Sequence, residues 1–122
     1  MVTAAAADLK RIFGGLEIVE LDVGKEINHY GNYLVFDRFV PSSDMLDAGT
    51  FSFTLYVAIN SINRGHTHGY GVMDQIITAL SLAAQKGVSG RCRDIKLHSF
   101  SQRLFIYAVG VDIYRTWDNR DE

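Results

Sequence analysis

The sequence predicts an α+β fold, on three observations: a strand alternation over residues 51–59, a helical spacing over residues 73–84, and a two-strand pattern between residues 95 and 114. Phe51, Phe53, Leu55, Val57 and Ile59 alternate with Ser52, Thr54, Tyr56, Ala58 and Asn60. A period of two sends the first set to one face of a sheet and the second to the other, so one face is dry and the other amphipathic. Met73, Ile76, Ile77, Leu80 and Ala84 then recur at helical spacing, with Asp74, Gln75, Thr78, Ser81 and Gln85 mostly on the opposite side.

The elements follow in order. Thr3 is positioned to cap a first short helix whose Ala5, Leu9, Ile12 and Phe13 share a face, and Gly14 and Gly15 end it. Leu16 to Leu21 and Tyr33 to Val40 read as strands, with Gly24, Gly31 and Asn32 marking turns. Pro41 to Gly49 carries the only proline and a cluster of turn residues, which predicts an exposed connection between two antiparallel strands. After the long strand comes a polar, glycine-rich loop from Asn63 to Gly71. In the helix that follows, Asp74 is expected in the first turn, where it suits the positive end of the dipole, and Gly87 after Lys86 suits a left-handed C-terminal cap. Val88 to Arg93 reads as a loop, and Ile95 to Phe100 is expected to form a hairpin with Leu104 to Tyr114 through a turn near Ser101 and Gln102. The last strand is apolar on one face and partly so on the other, which places it near the middle of a sheet or at a subunit contact. Residues 115–122 are charged apart from Trp117 and are expected to form a flexible tail.

Composition bounds the function. With 122 residues and 48% hydrophobic content, the chain fits a single domain spanning 1–122. Twelve basic and fourteen acidic residues are scattered along it, so no basic stripe for independent nucleic-acid binding is present. One cysteine, Cys92, excludes an internal disulfide and a thiolate zinc site, and a reducing cytoplasm is the default compartment. The apolar run Val2 to Ala7 is too short for a signal sequence and is followed by Asp8, Lys10 and Arg11. Other apolar runs fall well below the roughly 20 residues of a transmembrane helix.

Few residues point to chemistry. His66 and His68 could share a metal with His98 or Asp74, yet one His-x-His in a loop is a weak signal that solvation and loop freedom explain better. No metal or cofactor is expected. The loop glycines do not form a phosphate cradle, since Val72 and Met73 follow Gly71 where that motif needs lysine and a hydroxyl. Cys92 lies between Arg91 and Arg93, neighbours that could lower its pKa, but no base is evident to activate it. Asp74 on a helix that follows His68 and Gly69 resembles the arrangement in hotdog-fold thioesterases, with Asp74 as general base or nucleophile. Against it, too little chain follows the helix to wrap it in strands. Partly exposed aromatics beside arginines have the composition of protein interfaces instead.

The order of these elements, with the strand from Phe51 to Ile62, Gly69 and Gly71 opening the helix that contains Met73 to Leu80, and the late strand Leu104 to Tyr114, resembles the tail-terminator (tail-completion) proteins of Mu-like phages and prophages. The resemblance implies a mainly antiparallel sheet with two helices packed on one face. It also implies a non-enzymatic virion protein whose copies close into a homohexameric ring on the tail tube, ending tube polymerisation and joining tail to head connector. Partners would be further copies of the chain, the tail tube protein and the head-tail connector protein, with DNA passing through and no membrane involved. Location would be the tail-neck junction of the virion, and host cytoplasm during assembly. Arg64, His66, His68 and Tyr70 at one loop, and Arg115 and Trp117 at the tail, are the candidate interface residues.

Overall fold

A computed structural model describes residues 1–20, 26–42, 47–59, 70–100 and 104–117. Helix α1 (Val2–Ile12) leads into a short strand β1 (Ile18–Glu20), followed by β2 (Gly31–Pro41) and β3 (Ala48–Ile59). Helix α2 (Tyr70–Ser81) and a 3-10 turn (Ala83–Lys86) precede strands β4 (Gly90–Phe100) and β5 (Phe105–Thr116). The five strands form one sheet in the order β1-β2-β3-β5-β4. β1 runs parallel to β2 and every other pairing is antiparallel. The result is an α+β domain with both helices on one face of a mainly antiparallel sheet.

The alternation in β3 fixes which face is dry. Phe51, Phe53, Leu55, Val57 and Ile59 are all buried, and register places Phe51, Phe53 and Leu55 opposite Ile113, Val111 and Val109 of β5. Side chains opposite one another in an antiparallel pair share a face. Onto that face α1 lays Ala5, Leu9 and Ile12, and α2 lays Met73 and Ile76. Each large aliphatic or aromatic side chain buried this way contributes about 1.5–3 kcal/mol of transfer free energy.

One polar group on α1 is also buried. Asp8 sits on the same stripe as Ala5, Leu9 and Ile12; its carboxylate accepts from Arg11 at 2.6 Å and from Arg115 of β5. The charge-assisted bond to Arg115 pins α1 to the sheet, while the bond to Arg11 lies within the helix.

Several boundaries differ from expectation. The first helix begins at Val2, with Met1 at the N-cap and no side-chain cap bond, so Thr3 lies inside the helix instead of capping it. Gly31 and Asn32 belong to β2 instead of a turn. α2 starts at Tyr70, which leaves Asp74 just beyond the first turn, and the α-helix stops at Ser81, whose hydroxyl donates to the Ile77 carbonyl at 2.9 Å. Past the 3-10 turn, Gly87 takes a φ of 73° and Val88 N–H donates to the Ala83 carbonyl at 3.2 Å. This is the left-handed cap expected at that glycine, one short turn later than the end of the α-helix. The side chain of Ala84 lies outside what the structure describes.

β4 begins at Gly90, inside the stretch read as a loop. Gly90 packs where a Cβ would lie 2.9 Å from Ile12 Cδ1, so a side chain there would have to displace the tip of Ile12 where the strand enters beneath α1. The register shifts between Cys92 and Asp94 and again between Leu97 and Ser99, and two such irregularities break the alternation that marks a strand in sequence. β5 runs two residues past its expected end. Arg115 and Thr116 pair with Gly49 and Ala48, so the start of the supposed tail is sheet. The turn near Ser101 and Gln102, and residues 118–122, lie outside the described residues, as does Gly24. Among the described residues no helix is long and apolar enough to cross a membrane.

Candidate interaction surface

The two faces of the sheet differ in kind. The face away from the helices carries a polar network built around Arg93, the extra residue at the first irregularity of β4. Its guanidinium donates to the Asp112 carboxylate and, at 3.1 Å, to the Phe53 carbonyl, and lies 3.6 Å from Asp37. Ser52 donates to Asp112 at 2.8 Å and Thr54 to Asp37 at 2.5 Å, so residues of β2, β3, β4 and β5 are joined laterally. Gly110 makes this possible, because a Cβ there would lie 2.8 Å from the Arg93 Nη2 atom. Gly110→Ala is expected to lift the guanidinium off its partners at a cost of about 1–2 kcal/mol. In urea unfolding, Arg93→Ala should add little to Gly110→Ala if both remove the same bonds. Full additivity would show that the network does not depend on that glycine.

On the helix side, depressions among the described residues lie at the borders of the helices. One of ≈ 450 Å³ runs between α1 and α2 and is lined by Ile12, Phe13, Leu16, Asp74, Thr78 and Leu82 among others. A second, ≈ 350 Å³, opens beside β1 and β2 with Val2, Glu20, Leu34, Phe36 and Phe53 in its walls. The third, ≈ 290 Å³, lies between α2 and β4 and is lined by Ile77, Leu80, Ser81, Cys92 and Ile95. Large apolar side chains remain exposed: Val2 and Phe36, the latter at 41%, in the walls of the second, Ile77 at 50% in the wall of the third, and Leu97 at 45% and Phe100 along β4. Ile77 was expected to share the buried stripe of α2. It faces outward instead, and only Met73 and Ile76 are buried in this helix among the described residues.

The sequence-predicted interface residues are not brought together as a group. Arg64, His66 and His68 lie outside the described residues. Tyr70 opens α2 and is 64% exposed. Arg115 is committed to Asp8. Trp117 is half-buried, with its ring 6.0 Å from Phe39 and 6.3 Å from Phe51, and its backbone N–H donates to the Asp47 carbonyl at 2.8 Å. Arg115 and Trp117 therefore hold the end of β5 to the protein's own core, where a free aromatic anchor was expected.

The candidate chemistry finds its places as follows. Asp74 is exposed on the wall of the groove between the helices. His98 is exposed and meets Tyr56 edge-on at 5.1 Å between ring centres. Among the described residues no three His, Cys, Asp or Glu side chains are placed to hold a metal ion. Burial pushes the Cys92 thiol up from its ordinary value; Asp94 adds to the rise, Arg93 opposes it, and Asp112 raises it further. The flanking arginines thus do not make it a thiolate, and a thiol so raised stays protonated at neutral pH.

Sequence reasoning missed Asp8 and the Arg93 network. Asp8 had a signal, an acid on an otherwise apolar helical stripe, and so did Asp112, an acid beside Ala108 and Gly110 in a heavily apolar strand. Neither a scan against protein-family models nor a search of curated proteins found a match.

Proposed function

We propose that this chain is a structural protein of a phage tail, a tail terminator whose copies close into a ring on the end of the tail tube and meet the head connector. Support comes first from the apolar side chains left exposed at both borders of a sheet whose core is otherwise closed. A chain that leaves Ile77, Leu97 and Phe36 in water is completed by protein contacts. The α+β architecture with both helices on one face is the one the family resemblance implied. A net charge of -2 also suits a ring around passing DNA, because it offers no counterion-releasing track that would hold the phosphates.

The test is polymerisation. Tail tubes incubated with the purified chain should stop elongating at one end when fresh tube protein is added, whereas unchanged growth at both ends would remove the proposal.

A second reading is favoured by the groove between α1 and α2, which places the Asp74 carboxylate beside Ile12, Phe13, Leu16 and Leu82. An acid on the wall of an apolar groove is the minimum a small acyl-thioester hydrolase of the hotdog kind would need, with Asp74 as general base. Wild type and Asp74→Ala, assayed on a panel of thioesters, decide it: no turnover, or equal turnover, eliminates this chemistry.

A further inference from the structure

The two helices are held to the sheet in different ways. α1 is clamped: Leu9, Ile12 and Phe13 are almost without exposure, and the Asp8 carboxylate reaches Arg115 of β5. α2 has a weaker hold. Its buried side chains are Met73 and Ile76, while Val72, Ala79 and Leu80 are only partly covered. Among the described residues no side chain of α2 bonds to the sheet or to α1, and the helix's own side-chain bond runs from Ser81 back to Ile77.

Space flanks α2 on both sides. The depression of ≈ 450 Å³ lies between it and α1, and that of ≈ 290 Å³ between it and β4. At its C-terminal end the helix passes into the 3-10 turn, where the Leu82 N–H is shared between the Thr78 and Ala79 carbonyls at 3.2 Å each. A change of helical pitch of this kind is a place where a chain can hinge. Beyond it the turn is fixed, because Ala83 and Val88 are buried and the Val88 N–H bonds back to the Ala83 carbonyl.

We propose that α2 is a hinged cover, swinging off the sheet as a unit about Leu82 while α1, the 3-10 turn and the strands stay folded. Elements held by few buried side chains open at the low end of the stability range, without the rest of the domain. Opening joins the two depressions into one apolar trough that runs from Ile12, Phe13 and Leu16 to Cys92 and Ile95. It also uncovers the part of the sheet that lies under Met73 and Ile76. The motion does not depend on whether the chain caps a tail tube or hydrolyses thioesters.

Hydrogen exchange of the full chain, followed residue by residue, tests the cover. Amides from Asp74 to Ser81 should share one protection factor, lower than that of β3 by about tenfold or more. Ile113→Val separates local from global opening. Ile113 is fully buried, and its Cδ1 and that of Ile12 both lie within 3.3 Å of where a Cβ on Gly90 would stand, so its contacts survive when α2 swings away. The substitution should speed exchange in β3 by about two- to tenfold and leave α2 unchanged. Ile76→Val, which trims the anchor itself, should speed α2 by a similar factor.

Equal protection in α2 and β3 would overturn the cover, as would an Ile113→Val protein in which α2 accelerates as much as β3, since the helix would then leave only when the whole domain unfolds. Protection that declines stepwise toward one end of α2 would also overturn it, by showing fraying in place of a unit motion.

Discussion

Phe53→Ala is expected to remove about 3–5 kcal/mol of stability. The side chain is 1% exposed in the central strand β3. Its ring lies 5.4 Å from Phe36 between centres, tilted by 57°, a spacing at which aromatic pairs add to simple burial. Truncation leaves a cavity that the surroundings cannot readily close, because β5 holds β3 by an unbroken ladder on one side and β2 pairs with it on the other, with one register shift between Phe36 and Arg38. Small domains have only about 5–15 kcal/mol of total stability, so the variant should unfold at much lower urea with an unchanged slope. A loss below about 1 kcal/mol would mean that Phe53 is not part of a close-packed core.

Asp8→Ala is expected to cost about 2–3 kcal/mol, through charge instead of volume. Asp8 exposes only 11% of its side chain while accepting from Arg11 and Arg115. Its removal strands Arg115, itself 34% exposed at the side chain, in a site that water reaches only partly. A fully buried pair would lose more; the access left to Arg115 lowers the figure. Asp8→Asn, which keeps a carbonyl acceptor but not the charge, should lose about half as much. Hydrogen exchange should locate the effect, with amides of α1 losing protection in Asp8→Ala while those of β3 keep theirs. Equal loss in both elements would show that the carboxylate does not specifically hold α1 to the sheet.

These two residues also mark what could be read from the chain alone. Phe53 belongs to an alternation so regular that its strand and its buried face followed from local period. The left-handed turn at Gly87 followed from residue type, since only glycine adopts that conformation freely. β1 was legible as a strand within Leu16 to Leu21, but its direction was not: three residues paired in parallel to a strand more than ten positions later leave no local signature of it. The start of β4 was hidden because Gly90 and the extra residue Arg93 disturb the alternation, although each has a use, one against Ile12 and the other across Gly110.

Ile77 teaches a different lesson. Periodicity shows how wide the apolar stripe of a helix is, but not how wide the surface beneath it is. α2 carries Met73, Ile76 and Ile77 as one stripe and buries only the first two, so the excess projects outward near the edge of the sheet. An apolar stripe wider than the core it meets is itself a signal of a protein contact, and here it borders the depression lined by Cys92 and Ile95. Arg115 and Trp117 point the other way. Both looked like free recognition groups in a charged tail, and both are held by Asp8, Phe39 and Phe51, long-range partners that no window of sequence displays.

End-on electron microscopy of tail tubes incubated with the purified chain is the most direct measurement. A closed ring of six copies at one end of each tube is the expected result. Bare tube ends at saturating protein, with the chain remaining unbound, would contradict it.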